Sequence, residues 1–583
     1  MRTIFSKIKI KASHLVVLTA LVFVSAVGEM LLPALLAQMI NKGVATANNK
    51  LVFTFAIIMA GITVMACIIN FLSVKISARI STEFAAKLRT AVFGKVQDFS
   101  AAEIDRFSVA SLVTRSTSDI TNIQMFLTML LRIGILAPMM AIAGLVFSAA
   151  TGGKVSSVLT VAIPVLLVGV GGIVVLASRY SVRLRTKLDQ SNRLFLESLE
   201  GVRVIRAFNK QGREQERFGE ANKDYTKTAM ISGRITSFLM PAINVIFGVT
   251  SVAVLGLGSI YVENKAMEVG SLVANSQYIS MVLMSVMMLA MVIMMFPTAY
   301  ACAKRISEVL ETEGSIEDGS YSMEKRPLRS TVEFRNVTFA YPGAEEPILK
   351  DVSFVCRPGE VTAIIGGTGR GKSSILKLIP RLYDPMFGAV LIDGVNAKEY
   401  STEDLRSLIG YVPQKNVLFS GDIGENLNFG NESGTEEQWK KAAAIACAEE
   451  FIEKREERYD SRIAQGGTNL SGGQRQRMAI ARAIMKEPEI YVFDDSFSAL
   501  DMKTDRTVRE NIKKNMGNAT VIMVAQRISS IMDADQILVV DDGRIIGKGT
   551  HQELMETCPM YHEIASIQLG DDCEQKGVRE IES

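Results

Sequence analysis

Metal-ligating side chains are scarce in this chain: six cysteines and three histidines in 583 residues. Cys67, Cys302, Cys356, Cys447, Cys558 and Cys573 form no CxxC or Cys/His spacing, and His14, His551 and His562 do not cluster. That argues against a zinc site or a disulfide framework and for reduced thiols in or facing the cytosol. Also missing is a small-residue cleavage pattern after the apolar run from Leu15. The amino-terminus therefore reads as a basic segment along the membrane interface (Arg2, Lys7, Lys9, Lys11) entering an uncleaved first span, not as a signal peptide. With 48% hydrophobic residues, disorder is excluded. A charged fraction of 21% is too high for a pure membrane bundle, and a mean hydropathy of +0.23 is too high for a soluble enzyme. At ~150 residues per domain, several domains are expected.

Net charge is only +3, but it divides unevenly. Residues 1–310 carry +15 and residues 311–583 carry −12. A basic half points to nucleic acid or to the cytoplasmic loops of a membrane protein. The positions of the basic residues decide between the two.

A spanning helix needs ~20 mostly apolar residues. Six segments qualify: residues 14–40, 51–78, 125–150, 155–177, 235–262 and 271–301. The turns after the first, third and fifth spans carry only Lys42 and Lys50, then Lys154, then Lys265. The intervening segments 79–124 and 179–234 are long and rich in Lys and Arg. The positive-inside rule puts both termini and both long loops in the cytoplasm, so nucleic acid is not the partner. Within those loops, 83–99 and 194–218 alternate apolar and charged residues at helical spacing, which predicts helices continuing beyond the bilayer.

Two charges fall within spans. Glu29 reads either as a ligand for a cationic substrate or as a hydrogen-bond hub, and Arg132 as a paired or snorkelling side chain. In the sixth span Met281, Met284, Met287, Met288, Met291, Met294 and Met295 read first as ordinary packing. The alternative is an adaptable binding surface, because thioethers fit partners of many shapes.

Residues 311–330 turn polar and read as a linker, after which short β-branched runs alternate with helical patterns, an α/β signature. The run 360–365 enters Gly366-Gly367-Thr368-Gly369-Arg370-Gly371-Lys372-Ser373-Ser374 ahead of a helical stretch. This is GxxxxGK[ST] in its strand–loop–helix setting: the loop curls around phosphates, Lys372 reaches the β- and γ-phosphates, and Ser373 ligates Mg²⁺. Apolar 490–493 reads as a buried parallel strand that delivers Asp494 at its carboxyl end, where a carboxylate holds Mg²⁺. Leu470-Ser471-Gly472-Gly473-Gln474 opens another helix and makes a second anion nest. One ATP does not need two nests from one chain, so a head-to-tail pair of cassettes follows.

The order GGTGRGKSS, VPQ, LSGGQ, VFDD, SALD resembles the ATP-binding cassette (ABC) family, and the six spans resemble its type IV exporter membrane domain. The likeness covers nearly the whole chain, to about Gln568, leaving 570–583 as a polar tail expected to be disordered. It implies an all-α six-helix transmembrane domain (1–310) followed by an α/β P-loop nucleotide-binding domain with a helical subdomain (331–569). ATP and Mg²⁺ are the implied ligands. Tyr341 matches the aromatic stacked on adenine, and Gln414 the glutamine that senses Mg²⁺ and contacts the membrane domain. Ser471, Gly472, Gly473 and Gln474 match the signature serving the opposite ATP, and Asp501 the loop that crosses to the partner. Residues 104–118 and 201–210 look like the segments that dock on the cassettes.

Two departures stand out. Asp495 occupies the place of the family's general-base glutamate, and Gln526 that of the histidine at the γ-phosphate. Aspartate falls ~1 Å short, a misplacement that costs ~10²-fold. Glutamine offers no protonatable ring to the developing charge. The pattern resembles the degenerate-site subunit of heterodimeric bacterial multidrug exporters. It implies a different half-transporter as partner, residence in the bacterial cytoplasmic membrane and a hydrophobic or amphipathic small-molecule substrate. An ATP-gated channel or regulatory subunit is the alternative, and a lipid or peptide exporter is a rival within the class. The six spans exclude a soluble DNA-repair-type cassette.

Overall fold

The computed structural model describes residues 12–321, 323, 330–515 and 517–569. The basic amino-terminal segment, part of the linker stretch and the polar tail lie outside the described residues. Within them the chain divides into two units: residues up to Gln97 with Ala110–Thr312, and Asp98–Val109 with the chain from Glu313 onward.

Among the described residues of the first unit, six helical stretches are long and apolar enough to cross a membrane: Ala12–Val44, Asn49–Gln97, Val109–Thr151, Val155–Glu200, Gln211–Glu263 and Val269–Glu311. The second is a single helix of 49 residues. At 1.5 Å per residue it measures about 70 Å, more than twice the ~30 Å hydrocarbon core. Its continuation past the bilayer buries one stripe (Ser77, Ile80, Ser81, Phe84, Leu88, Val92) and exposes Arg79, Lys87 and Arg89. The third and sixth stretches pair most extensively. Near one end of that pairing, Arg305 donates to both oxygens of buried Asp119 at 2.7 and 2.5 Å. Polar satisfaction continues along the sixth helix, where the Tyr278 hydroxyl donates to the Met30 carbonyl at 2.9 Å.

The first helix buries Leu18, Val22, Ser25, Ala26, Met30, Pro33 and Ala37. Glu29 lies on that same stripe, one turn from Ser25 and from Pro33, and opposite exposed Val16, Phe23 and Leu31. Among the described residues its carboxylate has no hydrogen bond or ion pair. Pro33 has no N–H to give the Glu29 carbonyl in the regular i→i−4 pattern. The methionine stripe of the sixth helix is divided: Met281, Met287 and Met295 pack against buried apolar clusters, as ordinary packing expects. Val282, Leu283, Ser285 and Val292 are the helix's buried face, whereas Met284, Met291 and Met294 are exposed.

Among the described residues of the second unit twelve strands run in order: β1 (Val332–Phe339), β2 (Leu349–Cys356), β3 (Val361–Ile365), β4 (Phe387–Ile392), β5 (Val395–Asn396), β6 (Ile409–Val412), β7 (Gly421–Asp422), β8 (Arg462–Ile463), β9 (Ile490–Asp494), β10 (Thr520–Val524), β11 (Gln536–Asp541) and β12 (Arg544–Gly549). The central sheet has the order β12-β11-β3-β10-β9-β6. Its strands from β11 to β6 are parallel, and β12 closes one edge antiparallel. β3, β9 and β10 are largely apolar, with buried Thr362 inside β3 and polar residues otherwise only at strand ends, as strands covered on both faces require. An antiparallel sheet of order β2-β1-β4-β5 packs through Phe334, Phe339, Val352 and Phe354 into the same core as Ile375 and Leu376. Between β6 and β9, helices Ile423–Asn428, Glu436–Ile445 and Glu449–Glu453 form a helical subdomain with helix Gly472–Met485.

The segment 313–321 is pinned to this unit. Gly319 and Tyr321 donate backbone N–H to Tyr400 and Glu399 carbonyls at 3.0 and 2.9 Å, and Asp318 accepts from the Thr402 N–H at 2.8 Å. The stretch 104–118, expected as one docking segment, is broken at Ser108 (φ +62°) into helices Ala101–Phe107 and Val109–Ser116. Only its part up to Val109 belongs with the second unit. The other expected segment forms helix Val202–Ala207 in the first unit, with no buried side chain.

Candidate functional site

Strand register assembles the site. Ile364 of β3 pairs with Val524 of β10, which pairs with Asp494 of β9, while Val412 of β6 pairs with Phe493. Four parallel strands thus end side by side, and the next residues on each project from the carboxyl edge where such sheets bind ligands. From β3 comes the loop 366–371, from β10 Gln526, from β9 Asp494 and Asp495, and from β6 Gln414.

The loop's glycines are required by close approach. A Cβ on Gly366 (φ +153°) would sit 2.0 Å from the Val540 carbonyl oxygen, and one on Gly371 (φ +98°) 2.7 Å from Leu349 Cδ2. Helix Lys372–Leu378 starts directly after it, so the loop ends on a helix N-terminus suited to phosphate. Lys372 Nζ donates to the Gly366 and Gly367 carbonyls at 2.7 Å each. Burial lowers the lysine's pKa, and the charges of Asp495 and Asp494 work against that shift. Arg370 points away from the cleft's acids to Asp541 at 3.2 Å.

Ser373 Oγ donates to Asp494 Oδ1 at 2.7 Å. Asp494 is 2% exposed, and burial raises its pKa against the pull of the Ser373 hydroxyl. Hydroxyl and carboxylate form an all-oxygen pair suited to a hard cation. Among the described residues no group of three or more His, Cys, Asp or Glu could cage a metal. Asp495, in the left-handed region at φ +50°, accepts on Oδ2 from Gln526 Nε2 at 2.7 Å and from Gln414 Nε2 at 3.3 Å. Burial raises its pKa too, with both amides opposing.

A cleft of about 260 Å³ collects Tyr341, Thr368, Gly369, Gly371, Lys372, Ser373, Ser374, Gln414, Asp495 and Gln526, with Ile348 and Val524. Tyr341 closes one end: its hydroxyl lies 3.0 Å from Ser374 Oγ, and Lys377 Nζ is 5.3 Å from its ring centre. Ser471, Gly472, Gly473, Gln474 and Asp501 do not line this cleft. Instead Ser471 caps helix Gly472–Met485 in a capping box with Gln474, and Ser471 and Gly472 face solvent. Exposed Asp501 accepts from the Thr504 N–H at 2.9 Å, which lowers its pKa. The chain thus presents the cleft and, separately, a solvent-facing helix start at Ser471.

Spacing did not single out Gln476. It is 4% exposed, donates to the Asp495 carbonyl at 3.2 Å and accepts from the Ala499 N–H at 3.1 Å. One amide therefore ties the signature helix to the backbone of Asp495 and of the 498–501 segment. Its only sequence signal was its place two residues beyond LSGGQ.

A P-loop nucleotide site on a parallel sheet, joined to six membrane helices, defines an ATPase coupled to membrane transport. Residues 15–287 match the family model described as ABC transporter transmembrane region, and residues 349–498 match that described as ABC transporter. The chain belongs to the ABC transporter family, as an exporter half-transporter with one membrane domain and one cassette. It is 38% identical to an uncharacterized ABC transporter ATP-binding protein of Mycobacterium tuberculosis, over 94% of this chain and 95% of that one. It is 28% identical to an ATP-dependent lipid A-core flippase of Vibrio vulnificus, over 98% of each. Among solved structures, a bacterial Atm1-family ABC exporter with ATP bound superposes with a TM-score of 0.79 at 25% identity, covering 96% of this chain and 99% of that one. It is a multi-pass membrane protein with a cytoplasmic cassette that binds ATP and drives export.

Proposed function

We propose that this chain is the slow-hydrolysing subunit of a heterodimeric exporter, holding ATP and Mg²⁺ in its own cleft and lending its signature to the partner's site. The observation that carries this reading is the state of Asp495. Its short carboxylate is engaged on one oxygen by both Gln414 and Gln526, neither of which can take up a proton. A general base in that position must instead reach a water in line with the γ-phosphate. Ser373 and Asp494 are the residues that would hold Mg²⁺, with Gln414 beside them, and the ion would neutralise phosphate charge. Purified alone, the chain should turn over ATP about 10²-fold more slowly than the roughly ten per second typical of enzymes. Turnover of tens per second would overturn the assignment.

The cargo we infer is amphipathic and cationic, because Glu29 offers an interior-facing carboxylate without a partner among the described residues. In vesicles bearing the assembled transporter, Glu29→Gln should lower uptake of a lipophilic cation about tenfold, the worth of one charge-assisted hydrogen bond. Uptake of a neutral amphiphile should be spared. Equal losses for both would reject the cation reading. The flippase relative supports a second reading, a lipid exporter, in which translocation of a lipid without cationic charge is the activity and is indifferent to Glu29→Gln.

A further inference from the structure

Tyr383 belongs to no motif, yet it connects two parts of the second unit. Its ring is 6% exposed and meets the Tyr341 ring edge-on, with centres 5.2 Å apart at 88°. Phe339 packs against both, at 4.9 Å from Tyr341 and 5.6 Å from Tyr383. From the far side of this cluster the Tyr383 hydroxyl donates to Asp105 Oδ2 at 2.5 Å, the length of a charge-assisted bond. Asp105 lies on the short helix Ala101–Phe107, which comes from the loop between two membrane helices and not from the cassette sequence.

That helix is held firmly. Glu103, 6% exposed, accepts from the Ser100 N–H at 2.9 Å, the Ser100 hydroxyl at 2.6 Å and the Ser315 N–H at 3.2 Å. Ala101 and Ala102 pack against the core that contains Phe339 and Tyr383. A shift of Tyr341 is therefore passed on through rigid rings to a hydroxyl with one partner at fixed distance. Close-packed aromatic clusters do not absorb such shifts, because protein interiors pack at crystal-like density.

We propose that Tyr383 is a positioning residue that reports occupancy of the purine end of the cleft to helix Ala101–Phe107. The inference rests on the reading that Tyr341 receives the adenine base. The route runs from the base side and bypasses the γ-phosphate. A cassette that hydrolyses slowly can therefore still signal that it is loaded.

Amide hydrogen exchange on the full chain in lipid nanodiscs tests this, with peptides from 366–374 reporting phosphate binding and peptides from 98–109 reporting the relay. Saturating ATP should slow exchange in both segments, about tenfold in 98–109, whereas saturating inorganic tripolyphosphate should slow only 366–374. Tyr383→Phe keeps the ring and removes the hydroxyl. ATP should then still protect 366–374 but leave 98–109 at its nucleotide-free rate. Asp105→Asn, whose amide oxygen still accepts, should preserve the ATP response, and Asp105→Leu should abolish it. If tripolyphosphate protects 98–109 as well as ATP does, or if Tyr383→Phe leaves ATP protection there intact, the relay is wrong. Tyr341→Ala checks the underlying reading separately: undiminished ATP affinity in that variant means the base does not sit on Tyr341.

Discussion

In the assembled transporter, replacing Ser471 with alanine should cut ATP turnover about 10²- to 10³-fold, the usual cost of removing one donor from a developing phosphate charge. Asp495→Asn in the same assembly should cost about twofold or less. The contrast follows from where the two residues lie. Ser471 and Gly472 face solvent at the start of helix Gly472–Met485, outside this chain's cleft, while Asp495 lies inside it. If the working site is the partner's, this chain contributes Ser471 to it and nothing from the strand ends of its own sheet. Ser471→Ala also removes a helix cap worth about 1 kcal/mol. That loss leaves the fold standing, and ATP affinity at this chain's own cleft should be unchanged, which separates a catalytic defect from an unfolded cassette. Full turnover in Ser471→Ala together with loss in Asp495→Asn would mean that the working site is this chain's own.

How far the site was legible depended on whether its chemistry is local in sequence. The phosphate loop needs closely spaced glycines before Lys372, and the structure puts Gly366 and Gly371 where a Cβ would strike Val540 and Leu349. Such a constraint is written in adjacent letters. The spans were legible for a similar reason, since a bilayer demands unbroken apolar runs whatever packs beside them. Tyr383, Gln476 and Asp105 were not legible. Each acts on a residue far away in the chain: Tyr383 on Asp105, across 278 positions, and Gln476 on Asp495 and Ala499. Only sheet register and the return of the 98–109 segment to the cassette bring them together.

The sharpest test of slow hydrolysis is to reverse it. In the chain purified alone, Asp495→Glu combined with Gln526→His should raise ATP turnover about 10²-fold, the factor assigned to a misplaced reacting group. Each single change should recover much less. Lengthening Asp495 alone leaves Gln526 as the neighbour at the phosphate. Changing Gln526 alone removes the 2.7 Å bond that holds the aspartate but leaves its carboxylate short. The intact Ser471–Gln474 loop of a second copy can complete the repaired site, so no other chain is needed for the measurement. A cost should accompany the gain. Residue 495 sits at φ +50°, a region that aspartate enters more readily than glutamate because its short side chain can hydrogen-bond locally. The repaired variant should therefore unfold at a lower temperature than the parent without nucleotide, whereas Gln526→His alone should not. A double variant that binds ATP, tolerates its strain and still turns over no faster would show that the slow step lies elsewhere than at these two side chains. The degenerate-site reading would then have lost its chemical basis.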